Sequence, residues 1–338
     1  VLVLLIVLIV CGAIGAVIVS HFLMRDEKTA ESTALADLPP GADSAARTVE
    51  TAHYRIVSNA TPEQTERVGQ AVESLYAAYT GFFGDRIPLP ANPPKLKLML
   101  YRDRTEFDAH NTSQPWAEAY YRAPWSYAYF DMGEKNPYHW MLHEATHQLR
   151  NEVARFPKTK WIDEGLASYF GTSRLRDGKL VLGEIDPDTY PIWHLRGLHL
   201  SGDLQADIRQ GRIIPLRDLM ADTGPPIAQH VNLYYIEYWS LSHFLFHYQN
   251  GKYAEPYRAL IAQPGSLEEF ERRIGPIERV QSEWYAYLQD QLPAARYPIG
   301  GKPRSRSCPC LPTRSRPRCC YLIASFVFGV AMSARSIS

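Results

Sequence analysis

The stretch that decides the fold is Asn136-Pro-Tyr-His-Trp-Met-Leu-His-Glu-Ala-Thr-His-Gln-Leu-Arg150. Asn136 suits a helix N-cap, Pro137 suits the first turn, and no glycine or proline follows them, so the stretch predicts one continuous helix. On such a helix His143 and His147 are separated by about 6 Å along the axis and about 40° around it. Both imidazoles can then bind one metal ion at about 2.0–2.1 Å.

Glu144, the acidic residue next to His143, is a candidate for a catalytic role. Glu144 is offset by one position, so its carboxylate can reach a metal-bound water without being a ligand, as a general base does.

Glu164 follows His147 by 17 residues, which leaves room for a helix end, a turn and a second helix packed against the first. We expect Gly165 to let these two helices approach closely. Two histidines and one glutamate leave a fourth position for water, which is typical of a catalytic site holding one zinc ion.

The motif His-Glu-Ala-Thr-His followed by Trp-Ile-Asp-Glu-Gly-Leu-Ala-Ser-Tyr-Phe (161–170) resembles a known family. It is similar to the gluzincin metallopeptidases of the peptidase-MA clan, and within it to a bacterial branch with a W-x-x-E-G-L-A-x-Y motif. The resemblance covers roughly residues 50–295. It implies a thermolysin-like helix pair with His143, His147 and Glu164 on zinc, Glu144 as the base, and hydrolysis of peptide bonds in a peptide or protein substrate.

The resemblance also implies residues beyond the metal ligands. In the family an extended substrate pairs with an edge strand upstream of the metal helix, which is how such peptides usually bind. The alternating stretch 125–131 is predicted to be that edge strand, with Tyr127 and Tyr129 on it. Downstream, residues 233–245 resemble the Tyr-x-x-x-Trp-x-x-x-His helix of the family. Tyr235 matches the leading tyrosine that stabilises the oxyanion, and Tyr234 and His243 are the alternatives.

One position departs from the family pattern. Many gluzincins carry an aspartate four residues after the ligand glutamate, where it supports a zinc-binding histidine, and Ser168 stands there instead. A serine can accept a hydrogen bond from an imidazole but brings no charge. Asp163 is the other candidate for this supporting role. The Gly-x-Met-x-Asn motif that anchors aminopeptidase substrates is missing, so recognition of a free N-terminus is not expected, and endo- or exopeptidase action stays open.

The order of predicted elements gives the fold class. Strands are expected at 53–58, 95–101 and 125–131, helices at 61–83 and 103–110, a hairpin at 179–182, and long helices at roughly 227–249, 252–263 and 278–292. Strands first and helices later favour an α+β fold. We expect a small mixed sheet whose edge strand packs on the metal helix, followed by a mainly helical lobe.

The chain is predicted to have four parts. Residues 1–24 are almost uniformly apolar, and about 20 such residues span the hydrocarbon core of a bilayer. We predict a transmembrane anchor there, with a cleaved signal peptide as the competing interpretation. Residues 25–48 are predicted to be a flexible linker, 49–298 the peptidase domain, and 299–338 a basic, cysteine-containing, disordered tail. The localisation expected is a single-pass cell-membrane protein with an extracytoplasmic domain.

Charge and cysteine content limit the classes of function and the kinds of bond expected of the protein. Lys plus Arg and Asp plus Glu are both 36, so the net charge is zero, and a chain-wide basic field for nucleic acid is excluded. None of the five cysteines lies between residues 12 and 307, so the body carries no disulfide.

Two alternatives to an active peptidase remain, namely a catalytically inactive peptidase-like binding module of the cell envelope and an envelope protein whose metal only braces the helix pair.

Overall fold

A computed structural model describes residues 38–89, 93–115 and 117–290. The chain divides into two units, Val1–Ala42 and Asp43–Ser338. In the first unit the described residues form a turn, in which the Ala42 N–H donates to Pro39 O at 3.2 Å. The predicted anchor (1–24) and tail (299–338) lie outside the described residues. Among the helices that are described, none combines the length and apolarity needed to cross a bilayer.

A five-stranded mixed sheet forms the first half of the second unit. Its strands are β1 (Arg47–Glu50), β2 (Tyr54–Ser58), β3 (Leu96–Tyr101), β4 (Tyr120–Arg122) and β5 (Trp125–Tyr129), in the spatial order β1-β2-β3-β5-β4. The central strands β2, β3 and β5 are parallel, and β1 and β4 run antiparallel at the two edges. The predicted mixed sheet is therefore confirmed. Strand β1 begins inside the segment 25–48 predicted as linker.

The prediction that residues 125–131 form an edge strand is wrong. Strand β5 lies between β3 and β4, and its residues Trp125, Ser126 and Tyr127 pair with β4. All five of its side chains are buried, and one face of the strand packs on the helix that carries His143 and His147. The edge strand on this side of the sheet is β4, which is three residues long.

Helix α1 (Pro62–Phe83) connects the parallel strands β2 and β3 and begins as predicted. Thr61 is the N-cap, Pro62 follows it, and Thr61 and Gln64 exchange side chain-to-backbone hydrogen bonds of 3.2 and 3.0 Å. This capping box satisfies two backbone donors that would otherwise lack partners. The predicted short helix is α2 (Arg104–His110), capped by Asp103.

The helix that carries His143 and His147, α3, spans His139–Gln148 and continues as a π-helical stretch, Leu149–Ala154. It packs against β4, β5 and α1. The prediction that Asn136 is its N-cap is wrong, because Tyr138 holds that position. The Asn136 side chain instead donates to Ser173 O at 3.2 Å, so it ties the start of α3 to the segment that follows the next helix. The Asn136 side chain therefore makes a tertiary contact instead of capping the helix.

The remaining elements form a mainly helical region. They are α4 (Lys160–Gly171), the hairpin β6 (Arg174–Arg176) and β7 (Lys179–Val181), a 3-10 segment (Ile192–Gly197), α5 (Leu204–Arg209), α6 (Leu216–Ala221), α7 (Ile227–His247), α8 (Ala254–Ile261), α9 (Leu267–Arg273) and α10 (Ile277–Asp290). The predicted hairpin is confirmed. Its two turn residues, Asp177 and Gly178, both have positive φ (49° and 73°), as a two-residue type I′ turn requires.

Helix α4 packs against both α3 and α7, and its glycines decide how closely. Gly165 was expected to face α3, but it faces α7, where a Cβ would overlap Ser242 Oγ and lie 2.9 Å from Tyr238 O. The glycine that lies against α3 is Gly171, where a Cβ would be 3.2 Å from the Cβ of His143. Gly165 therefore fixes the approach of α4 to α7.

We expect Gly165→Ala to destabilise the fold by about 1–3 kcal/mol, because the added methyl group must push α4 and α7 apart. Gly81 provides the matched control. It also lies inside a helix, but a Cβ there meets no atom within 4 Å, so Gly81→Ala should gain roughly 0.5–1 kcal/mol from helix propensity alone. Denaturant unfolding of the two variants measures both effects. Equal shifts in the two would contradict this account of Gly165.

Candidate metal centre

The two histidines of α3 present their ring nitrogens to one point. His143 Nε2 and His147 Nε2 are 3.2 Å apart. Both side chains are buried, because the face of α3 that carries them lies under α4. The four-residue spacing therefore brings both rings to the same side of the helix, as the sequence predicts.

Helix α4 adds a carboxylate to the same point. Glu164 Oε2 lies 3.5 Å from His143 Nε2 and 3.7 Å from His147 Nε2. A tetrahedral ion with bonds of about 2.0–2.2 Å separates its ligand atoms by about 3.3–3.6 Å. Among the described residues these three form the one group of histidines, cysteines and acids whose ligand atoms lie close enough together to hold a metal.

Whether the buried ligand atoms already have hydrogen-bond partners tests whether a cation fits this group. Glu164 Oε2 is buried and accepts no hydrogen bond of normal geometry from the described residues. A buried carboxylate oxygen without a partner is costly, and a divalent cation removes that cost while binding the nitrogen lone pairs of both rings. The donor set of two imidazoles and one carboxylate suits zinc and leaves a fourth position open. The residues present therefore fit a zinc ion.

The electrostatics of the ligands suit metal binding. Burial lowers the pKa of His147 to about 3, and this outweighs the opposing effect of Glu164, so the ring is neutral, as a ligand must be. Burial alone would raise the pKa of Glu164, but His147, His143 and a hydrogen bond from Tyr235 together lower it. The carboxylate is therefore ionised.

Glu144 lies beside the ligands and is completely buried, with an exposed fraction of 0 %. Burial, followed by the nearby charge of Glu164, raises the pKa of Glu144 well above its usual value. Neither of its carboxylate oxygens accepts a hydrogen bond of normal geometry from the described residues, although the Tyr121 backbone N–H opposes the rise in pKa. A buried carboxyl group with so few partners beside a candidate metal centre suits proton transfer.

Tyr235 is the one predicted oxyanion residue that reaches the centre. Its hydroxyl donates to the Glu164 carboxylate, and its ring centroid is 6.3 Å from that of His143. Burial, and then the charge of Glu164, raise the pKa of Tyr235 well above its usual value, so the phenol remains a proton donor.

Both alternatives to Tyr235 are committed to other partners. Tyr234 donates its hydroxyl proton to Pro225 O at 2.7 Å. His243 uses both ring nitrogens, with Nε2–H donating to Gly183 O at 3.1 Å and Nδ1 accepting from the Tyr287 hydroxyl at 2.7 Å. Neither group is placed to serve the metal centre in this arrangement.

The two candidates for supporting a histidine behave differently from the expectation. Ser168 Oγ is buried and has no hydrogen-bond partner among the described residues, so it does not hold an imidazole. Asp163 Oδ1 lies 3.3 Å from Arg150 Nε and therefore faces an arginine. Burial raises the pKa of Asp163 to about 7, although the Arg150 charge lowers it.

The tyrosines predicted for substrate binding serve the sheet. Tyr127 is stacked on Tyr120 with ring centroids 4.5 Å apart, and Tyr129 donates its hydroxyl proton to Glu118 at 2.6 Å. On strand β5, Tyr127 pairs with β3 on one side and with β4 on the other, so its backbone has no free edge, whereas Tyr129 pairs with Tyr101 of β3. The residue of the sheet that approaches Glu144 is Tyr121, on the edge strand β4.

Two neighbours of the centre were not predicted from the sequence. Arg150 pairs with Asp163, the residue before Glu164, and the Tyr190 ring lies 5.9 Å from that of Tyr235. No periodic pattern marks Tyr190, which enters from the segment after the hairpin. Arg150 carried one usable signal, because it follows His147 by three positions and so lies near it on the helix.

Residues 140–264 match the model of a family described as a protein of unknown function (DUF1570). The match covers less than half of the chain. It begins within α3 and includes His143, Glu144, His147, Glu164 and Tyr235. No curated protein matches the chain significantly.

Proposed function

We propose that the protein is a zinc-dependent metallopeptidase of the gluzincin type that hydrolyses peptide bonds. The observation that carries the proposal is the convergence of three buried ligand atoms at 3.2, 3.5 and 3.7 Å from one another, with the Glu144 carboxyl group beside them. A bound zinc ion supplies a Lewis acid that polarises a carbonyl group and makes water more acidic.

The protein's own side chains carry the proton transfers. Glu144 takes a proton from the water whose oxygen bonds to the scissile carbonyl carbon. When the carbon–nitrogen bond breaks, Glu144 delivers that proton to the leaving amine. Tyr235, which is protonated and donates to Glu164 before substrate binds, redirects that hydrogen bond to the oxygen that gains negative charge. The substrate strand is proposed to add to the edge strand β4, whose Tyr121 N–H faces Glu144.

The test uses the full chain with zinc, incubated with fluorescently labelled denatured casein and with a mixed peptide library read by mass spectrometry. We expect cleavage that stops on chelation and returns when zinc is restored. Absence of cleavage by a chain that holds stoichiometric zinc would contradict peptidase activity. That result would favour an inactive peptidase-like binding module, which the unpartnered Ser168 also supports, since it stands where an acid supports a histidine in many gluzincins.

We expect Tyr235→Phe to lower kcat by about 10²–10³, because it removes one donor to the developing oxyanion. The assay is run at saturating zinc, so that loss of the hydrogen bond to Glu164 does not limit occupancy. Tyr234→Phe is the matched control, since that hydroxyl bonds Pro225 O, and its kcat should stay near the wild-type value. A kcat for Tyr235→Phe equal to that of the control would remove Tyr235 from the reaction.

The proposal includes attachment to a membrane. The apolar segment 1–24 supports a single-pass anchor with the peptidase body on the extracytoplasmic side. Reporter fusions after residue 290, active on only one side of the membrane, test the orientation. A chain that fractionates without membranes would contradict the anchor.

A further inference from the structure

An ion pair connects the two helices that carry the metal ligands. Arg150 lies in the π-helical stretch after α3, three residues beyond His147, and Asp163 directly precedes Glu164 on α4. Their side chains approach to 3.3 Å between Arg150 Nε and Asp163 Oδ1. Both residues are buried, with exposed fractions of 8 % and 5 %.

Arg150 also closes the turn between these helices. Its Nη1 donates to Phe156 O at 2.8 Å, and the Phe156 N–H donates back to Arg150 O at 3.2 Å. Arg155, inside this turn, has a left-handed φ of 54°. Arg150 therefore contacts both the connection and the first turn of α4, although its Nε and Asp163 Oδ1 do not form a hydrogen bond of normal geometry.

The start of α4 is held from its other side as well. Trp161 Nε1 donates to Gly265 O at 3.2 Å, and the Gly265 N–H donates to Thr159 Oγ1 at 3.1 Å. The first turn of α4 is thus fixed between the 265 loop and Arg150. Since Glu164 follows Asp163 directly, its carboxylate moves with this turn.

We propose that Arg150 and Asp163 are positioning residues that set the distance from the Glu164 carboxylate to the two histidines, and so set the affinity of the site for zinc. This inference rests on the proposed function. Outer partners of metal ligands usually contribute about 10- to 100-fold to metal affinity. Here the partner acts on the helix that carries the ligand, and the π-helical stretch places the arginine where it can reach.

The charge of Arg150 separates a positioning role from a purely electrostatic one. Removing the positive charge of Arg150 near a divalent cation would by itself tighten zinc binding. Loss of positioning would weaken it. Arg150→Met therefore gives opposite results under the two explanations, and Arg150→Lys, which keeps the charge, should recover part of the affinity.

The experiment measures the zinc dissociation constant of the full chain at pH 8 by competition with a chromophoric chelator. We expect Arg150→Met to raise it by about 10-fold or more and Arg150→Lys to raise it less. The control is Arg212→Met, which breaks another pair on a buried acid, with Arg212 Nε 2.8 Å from Asp207 Oδ1. Its zinc affinity should equal that of the wild type even if it unfolds more readily.

Arg150→Met leaves Asp163 as an unpaired buried acid, which costs folding stability. The double variant Arg150→Met with Asp163→Asn has no such acid and keeps the net charge of the pair, and it too should bind zinc about 10-fold or more weakly. Wild-type affinity in both variants would overturn the positioning role alone. No zinc binding by the wild type would overturn the proposed function and this inference with it.

Discussion

Glu144→Gln should lower kcat/KM for peptide hydrolysis by about 10²–10⁴ while leaving the zinc content unchanged. The magnitude is that of a lost general base. The zinc content is preserved because Glu144 is not one of the three ligand residues. The amide has the shape of the carboxyl group, and neither carboxylate oxygen accepts a hydrogen bond of normal geometry from the described residues, so folding should change little.

Glu237→Gln is the matched control for this variant. Glu237 is likewise 0 % exposed, lies on a helix, and has a pKa raised by burial, but it bonds the Ile214 N–H at 2.9 Å instead of facing the ligands. Its hydrolysis rate should remain at the wild-type value. Equal zinc-dependent turnover by wild type and Glu144→Gln would remove Glu144 from catalysis.

His147→Ala should abolish stoichiometric zinc binding and, with it, hydrolysis. It removes one of three protein ligands and leaves a buried cavity beside Glu164, so the affinity should fall by more than the about 10- to 100-fold typical of outer partners. The measurements are metal analysis after dialysis and peptide cleavage in the same preparation.

His139→Ala is the control, because His139 is a buried histidine on the same helix, one turn before His143. Its Nδ1–H donates to Asn136 O at 2.9 Å and its ring packs on Trp140. This variant should lose folding stability but keep its zinc. Zinc retained by His147→Ala at wild-type affinity would contradict the ligand assignment.

Local patterns predicted much of the fold. Thr61 and Pro62 predicted the start of α1, and the turn pair Asp177-Gly178 predicted the hairpin, because both depend on contacts between near neighbours in sequence. The grouping of His143, His147 and Glu164 was also predictable, since helical spacing determines the first two and a short connection limits where the third can lie.

The predictions that were wrong concern features that depend on contacts between residues far apart in the sequence. Strand β4 has three residues and no alternating pattern, so it left no signal, and β5 was placed at the edge instead. Gly165 faces α7, more than sixty residues away, and Asn136 bonds Ser173 O across the structure. Nothing near Arg150 in sequence identifies Asp163 as its partner, because that pair exists only once α3 and α4 have packed.

X-ray absorption at the zinc edge of the full-length chain tests the central claim most directly. We expect one zinc ion per chain with two imidazole nitrogens at about 2.0–2.1 Å and a shell of oxygens, from Glu164 and solvent, at about 2.0–2.2 Å. A chain that binds no stoichiometric zinc, or whose zinc has sulfur ligands or a single imidazole, would contradict it.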